Sequence, residues 1–338
     1  MYSEIKKKLQ KLMRAECVMS RRKRLLMLLK PLDVYPSRHN QDLSRVKNPH
    51  VSQVFEYLDN RCMVHKNAIN YCQDVVRRKL VDWESIFRSD LSKPITGVDL
   101  VVTVGGDGTL LQASHLMDDS VPVLGVNSDP TQSKEVEEFS DEFDATRSTG
   151  YLCGATTENF ELVLDNILEG HMDPLKLSRM AINLNSQPIS TYALNDILVA
   201  HSCPATVSRF SFRIESGDQP ASPLINCRSS GLRVSTAAGS TAAMLSAGGH
   251  VMPILSRDLQ YMVREPIAPA STISHLLHKF VRPDESMKIA WSCKYGLIYV
   301  DGSHVVYPIQ HGDTIDVSSK APVLNVFLPH LSHSSTSK

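Results

Sequence analysis

Nine residues constrain this chain more than any others: Val101-Val102-Thr103-Val104-Gly105-Gly106-Asp107-Gly108-Thr109, followed at once by the helix-like segment Leu110 to Met117. A β-branched run, a glycine turn and a helix start form a unit whose main-chain N–H groups and helix dipole favour a bound phosphate. Without Cβ atoms in the turn, the phosphate can approach the backbone closely. Asp107 is the unusual member. A carboxylate beside phosphates is repelled unless a metal bridges them or it has a proton to take. The motif therefore points to phosphoryl transfer rather than passive nucleotide storage.

The segments around it read as alternating strands and helices. Leu25 to Leu29 is a buried strand ended by Pro31. Val51 to Cys62 and His65 to Leu80 carry apolar residues at helical spacing and read as two helices. Val98 to Val104 and Val121 to Val126 are further strands. This order predicts a parallel sheet covered on both faces, with the glycine turn at the carboxyl end of a strand, where open α/β sheets bind ligands. Ser133 to Arg147 is acidic and polar and reads as a loop or mobile flap. Thr157 to Glu169 is another helix. Beyond it, alternating apolar segments recur at Ala181 to Leu184, Ser208 to Ile214, Leu224 to Cys227, Leu297 to Val300, Val305 to Ile309 and Val323 to Leu328, separated by turn residues. They predict an antiparallel β domain. The expected division is an N-terminal extension at 1–20 without fixed structure, an α/β phosphate-binding domain at 21–150, a β-rich domain at 151–330 and a tail at 331–338.

Composition limits the ligands. Lys and Arg number 36, as do Asp and Glu, so the formal charge is zero. No global basic field attracts nucleic acid, and a polyanion must be held by local donors, a helix end or a metal. No apolar run approaches the roughly 18 residues of a membrane span. The seven cysteines are odd in number and include no Cys-x-x-Cys pair, which suits a reducing compartment better than a disulfide framework. Met1 to Arg24 is basic and lacks a signal-peptide apolar core, while Glu4 and Glu16 weigh against an organelle-targeting segment. Thr336-Ser337-Lys338 stops short of a peroxisomal Ser-Lys-Leu. A cytoplasmic protein is expected, with mitochondrion or peroxisome as the alternative.

Ser229 to Pro253 is the second unusual stretch. Ala238-Gly239-Ser240 predicts a tight turn, Thr241 to Ala247 a helix, and Gly248-Gly249 its stop. The side chains are nearly all small, so a flat ring could lie against the backbone; a close-packed helix without a ligand explains the same composition. Asn195-Asp196 stands between apolar runs. It is either a plain turn or a ribose site, since a carboxylate accepts from two vicinal hydroxyls. Asp301-Gly302 reads as a hairpin turn with a structural aspartate. The 13 histidines show no metal-ligand spacing.

Taken in order, Gly105-Gly106-Asp107-Gly108-Thr109, Gly125-Val126-Asn127, Ala193-Leu194-Asn195-Asp196, and Gly231-Leu232-Arg233-Val234-Ser235-Thr236 with Gly239-Ser240-Thr241-Ala242 resemble the NAD kinases. Gly125 to Pro130 and Ser148 to Cys153 resemble the branch that holds the plant NADH kinases and the mitochondrial NAD kinases. The resemblance spans roughly Arg22 to Leu328. It implies a Rossmann-like α/β domain followed by a β-rich one, and a homodimer or higher oligomer binding small-molecule nucleotides. It implies transfer of the ATP γ-phosphate to the 2′-hydroxyl of the adenosine ribose of NADH or NAD, with Mg²⁺. By the same resemblance Asp107 is the catalytic base, and Gly105, Gly106, Gly108 and Thr109 cradle phosphates. Asn127 contacts the dinucleotide, Asn195 and Asp196 hold ribose hydroxyls, and Thr241, Ala242 and Ser246 line an adenine pocket. The chain departs from many relatives in having Asp196 for Glu, Ala243 for Tyr, Ser230 for an acid, and Asp129 to Ser133 after the Gly-Val-Asn. Two other functions compete: a sphingosine- or diacylglycerol-type lipid kinase, whose glycine loop shares the Gly-Gly-Asp-Gly core, and a dinucleotide sensor without catalysis.

Overall fold

Leu25 to Leu29 has no polar face, and the computed structural model, which describes residues 22–35, 49–217, 219–267 and 275–329, buries every one of its side chains. The run forms β1 (Arg24–Leu29). Helix α1 (Pro49–Arg77) follows, then the strands β2 (Asp82–Phe87) and β3 (Leu100–Gly105). Next come α2 (Asp107–Ser114), β4 (Val123–Asn127), α3 (Ser133–Glu138), β5 (Ala155–Thr156), α4 (Phe160–Leu168) and β6 (Leu175–Leu177). Among the described residues the first sheet has seven strands, in the order β2-β1-β3-β4, then a strand from the far end of the chain, then β6, with β5 beside β4. Strands β1 to β4 run parallel. Alternate residues face opposite layers: Leu25, Met27, Val102 and Val104 pack with α1 and α4, while Leu26, Leu28 and Val101 pack with α2. Two buried faces explain why these strands read as continuous apolar runs.

The second half supplies β7 (Ala181–Leu184), β8 (Gln187–Pro188), β9 (Asp196–Ala200), β10 (Ser208–Ser216), β11 (Gln219–Pro220), β12 (Ile225–Ser229) and β13 (Gly231–Ser235). A 3₁₀ turn (Ala238–Thr241) and a short helix α5 (Ala243–Ser246) lead into β14 (Leu259–Arg264). The strands β15 (His278–Val281), β16 (Glu285–Trp291), β17 (Tyr295–Val300), β18 (Val305–Gln310), β19 (Thr314–Ser318) and β20 (Leu324–Phe327) complete the described chain. Two antiparallel sheets, β11-β10-β16-β19-β7-β8 with β12 at β10, and β15-β14-β13-β9-β17-β18, enclose a second core. Phe212, Ile289 and Trp291 from one sheet meet Val199, Val234, Tyr261 and Ile298 from the other. Burying each such large side chain contributes about 1.5–3 kcal/mol.

The expected α/β-plus-β architecture is therefore present, with four local corrections. The two helices expected between Val51 and Leu80 are one helix of 29 residues. No Pro or Gly interrupts it, and Phe55, Tyr57, Arg61, His65, Ile69, Cys72 and Val76 form one buried stripe. Ser133 to Arg147, read as a loop, contains α3 and is tied to α1 by Arg61. The division expected near Gly150 is crossed: β5, α4 and β6 belong to the first sheet's layers. Val323 to Leu328, expected in the antiparallel domain, yields β20, which lies parallel to β4 with Val326 opposite Val123. The extension at 1–20 and the tail at 331–338 lie outside the described residues.

Candidate functional site

The register of the first sheet places the glycine turn. Gly105 at the end of β3 lies opposite Asn127 at the end of β4, so both motifs share one carboxyl edge. Asp107 opens α2 directly after the cap residue Gly106. The turn is too tight for side chains: a Cβ on Gly105 would lie 2.3 Å from Thr109 Oγ1, and one on Gly106 would lie 2.6 Å from Ser148 Oγ. Gly108 is exposed at the mouth. Gly106, Asp107, Gly108, Thr109, Asn127 and Ser148 border a cavity of about 360 Å³, whereas the expected Gly105, buried at the end of β3, is not among its lining residues.

The Asp107 carboxylate is anchored from the opposite wall. Its oxygens accept from the backbone N–H of Tyr151 (3.0 Å) and Leu152 (2.9 Å), and Cys153 Sγ donates at 3.6 Å. Burial raises its carboxyl above the ordinary value, while the Leu152 and Tyr151 N–H groups and the Cys153 thiol pull it back. Asn127 shapes the same wall: its Nδ2 donates to Ser148 O at 3.1 Å, and its Oδ1 accepts from Asp129 N at 3.3 Å. The expected members Gly106, Asp107, Gly108, Thr109 and Asn127 all border this cavity.

Sequence reasoning missed the cations. Lys30, Arg88 and Arg147 line the cavity, and none lies in a recognised motif. A signal existed for one of them: Lys30 immediately follows β1, the neighbour of β3, whereas Arg88 follows β2, which lies one strand further out. His65, fully buried, braces the floor. Its Nδ1 lies 2.7 Å from Ser128 Oγ and its Nε2 2.9 Å from Lys30 O. Burial lowers its pKa, as it does that of His278. An unfolded histidine binds its proton near about pH 6.5, whereas these two take it up at lower pH when folded. Folding stability is therefore present above that pH and declines as the solution is acidified through it. The melting temperature should drop from about pH 7.5 to about pH 5.5, and His65→Gln should shrink that drop; an unchanged drop in the variant would refute the role given to His65.

Asn195 and Asp196 sit in the β-rich half, where Asp196 opens β9. The Asp196 carboxylate is paired with Arg233. Burial raises it, and Arg233 opposes that shift. Asn195 Oδ1 is buried without a hydrogen-bond partner. Asp301 positions both residues. Its carboxylate accepts from the backbone N–H of Leu194 (2.8 Å), Asn195 (2.7 Å) and Asp196 (3.0 Å). His115 Nε2, one residue past α2, lies 2.9 Å from the same carboxylate. The helix that starts at Asp107 thus ends on the brace that holds Asn195-Asp196.

The expected adenine residues divide. Ser246 lines a second hollow, of about 610 Å³, together with Arg233, Ala243, Ala247 and the stretch from Met262 to Pro266. Thr241 and Ala242 are half-buried beside it and are not among its lining residues; Thr241 Oγ1 donates to Ala238 O at 3.4 Å. Arg233 joins this hollow to Asp196.

Two comparisons decide the family. Residues 36–130 match the ATP-NAD kinase N-terminal domain and residues 181–324 match the ATP-NAD kinase C-terminal domain. The chain belongs to the NAD kinase family. The NADH kinase of Arabidopsis thaliana is 61% identical over 309 residues, covering 91% of this chain and 96% of that protein. An NAD kinase from Archaeoglobus fulgidus in complex with ATP shares the fold at a TM-score of 0.61 and 19% identity, covering 91% of this chain and 94% of that one. Yeast NADH kinase complexed with NADH does so at 0.63 and 16%, covering 93% and 85%. As a member of this family the chain is an ATP-dependent kinase that phosphorylates the 2′-hydroxyl of NAD(H). That activity sets aside both the lipid-kinase and the sensor readings. Among the described residues, no helix of this NAD kinase is long and apolar enough to cross a membrane.

Proposed function

We propose that the kinase favours NADH over NAD as acceptor and that Asp107 is its general base. The observation that carries the second point is the Asp107 carboxylate fixed by two backbone N–H groups at the edge of the cation-lined cavity. The 2′-hydroxyl oxygen attacks the γ-phosphorus as its proton passes to Asp107; the bond from the γ-phosphorus to the β–γ bridging oxygen breaks, and ADP leaves. A carboxylate raised by burial is a better base than a free aspartate, and a loose transition state lets the proton depart late. The glycine-turn N–H groups and Thr109 hold phosphate oxygens, and Asn127 keeps the wall in register. Asn195 and Asp196 hold the ribose, with Ser246, Thr241 and Ala242 around the adenine.

Mg²⁺ is part of the proposal. Among the described residues no three His, Cys, Asp or Glu side chains converge as a metal cage. That suits an ion carried chiefly by phosphates and water, with Asp107 and Asp129 as the carboxylates that border the cavity. The ion would neutralise phosphate charge.

Preference for NADH is supported by the name of the Arabidopsis relative. Steady-state kinetics of purified protein with MgATP and each redox form test it; a higher kcat/KM for NAD would overturn it. The homodimer and the cytoplasmic location belong to the same proposal, supported by the family resemblance and by the cysteine pattern, and are tested by light scattering and by imaging of a tagged chain. Thr241→Trp should raise KM for the dinucleotide about tenfold or more by filling space beside the adenine, leaving KM for ATP nearly unchanged. Native KM in that variant would move the adenine elsewhere.

A further inference from the structure

Arg147 brings a positive charge to the phosphate cavity that nothing in the protein fully answers. Its side chain is 9% exposed, and its Nε and Nη2 are buried without hydrogen-bond partners. The nearest carboxylates, Asp129 and Glu135, lie 3.9 Å away, beyond hydrogen-bonding distance. Arg61 engages one oxygen of each, its Nη1 donating to Asp129 Oδ1 at 3.2 Å and its Nη2 to Glu135 Oε1 at 3.0 Å, while Glu135 Oε2, the oxygen 3.9 Å from Arg147 Nη2, is also buried without a hydrogen-bond partner. Tyr57 covers the Arg147 guanidinium, with its ring centroid 3.9 Å from the central carbon, and Tyr57 is itself fixed by a hydrogen bond to Ala145 O at 3.0 Å. The guanidinium is thus held in place while its edge stays unpaired. Leaving such a group buried is costly unless an anion completes it.

Two more cations border the same space. Lys30 Nζ donates to Tyr35 Oη at 2.8 Å and keeps further N–H groups. Arg88 Nη1 donates to Thr109 Oγ1 at 3.3 Å, which ties it to the glycine turn. Burial lowers Lys30 and brings Arg147 down to about 10, so Arg147 stays charged at neutral pH. Forked guanidinium donors match phosphate oxygens.

We propose that Arg147 is a donor-specificity residue that, with Lys30 and Arg88, binds the β- and γ-phosphates of ATP, while Arg61 holds Asp129 and Glu135 short of hydrogen-bonding distance from Arg147. The inference rests on the kinase reading above and adds the residues that distinguish a triphosphate from a diphosphate. Phosphoryl transfer removes one phosphate from their reach, so ADP is held less tightly than ATP.

The test titrates the full-length protein separately with sodium tripolyphosphate, Mg-AMP-PNP, NADH and NADPH. Arg147→Gln should weaken tripolyphosphate and Mg-AMP-PNP about tenfold, the scale of one lost charge-assisted contact. Arg147→Lys should recover part of that loss, and NADH and NADPH should bind within about twofold of native. Native tripolyphosphate affinity in Arg147→Gln overturns the proposal. So does a loss confined to NADPH, which would assign the cations to the product's 2′-phosphate. Should Arg147→Gln fail to fold, Arg88→Gln is read instead, and undiminished tripolyphosphate binding there also overturns it. Failure of the native protein to convert NADH to NADPH would strike the kinase reading alone, because the titrations need no turnover.

Discussion

Asp107→Asn lowers turnover by about 10²-fold or more, the range expected for a lost positioned base, while NADH still binds. The carboxylate accepts from Tyr151 N–H and Leu152 N–H through different oxygens. An asparagine can satisfy one of these donors with its carbonyl, but its NH₂ then meets the other donor. The variant loses the proton acceptor and loosens the wall at 151–153 together. The native pH profile provides a second signature. Because burial raises Asp107 above the usual carboxylate range, the acid limb of kcat/KM should fall at a higher pH than a free aspartate would give. Stopped turnover with intact NADH titration supports the assignment, and turnover near native would end it.

Asp301→Ala costs about 3 kcal/mol of folding stability or more, because three backbone N–H groups and His115 lose one shared acceptor inside the protein. Its side chain is fully buried, so water does not replace it readily. The same substitution frees Leu194, Asn195 and Asp196 to shift, and NADH affinity should fall about tenfold or more with them. Asp301→Asn keeps one acceptor oxygen and should lie between the two. Urea denaturation and NADH titration measure both effects. An Asp301→Ala protein of native stability and affinity would show that the brace has no function. Asp301 also sits at φ 50°, a left-handed conformation that aspartate tolerates better than most residues, so alanine is disfavoured there on backbone grounds as well.

The contrast between Asp107 and Asp301 shows what a sequence discloses. Asp107 was legible because its neighbours are chemically extreme: a β-branched run and four small or hydroxylic residues leave few other structures. Asp301-Gly302 was equally legible as a turn, but its hydrogen bonds to Leu194, Asn195 and Asp196 join segments far apart in the chain, and no local pattern encodes that pairing. Arg147 was hidden for the same reason; its neighbours Tyr57, Arg61 and Asp129 converge only after α1 has packed beside the sheet. Among the elements, β2 (Asp-Trp-Glu-Ser-Ile-Phe) escaped because it is a polar, largely exposed edge. Strand β20 was recognised as a strand but assigned to the wrong sheet, since alternation within four to six residues does not disclose that its partners are β4, parallel, and β6, antiparallel. The continuous α1 was split because its central polar residues resemble a break, although Arg61 and His65 are buried members of the stripe.

The position of β20 has a consequence for how the molecule is made. Its side-by-side pairing with β4 means that the platform carrying Asn127 gains this neighbour only after the residues through Phe327, 200 positions further along, have left the ribosome. A nascent chain halted in the sandwich would hold every residue of the glycine turn and still lack the hydrophobic filling, Leu324 and Val326, beneath it. Completion of this sheet is thereby deferred until β20 has been made, and copies terminated before it would present an open flank beside β4.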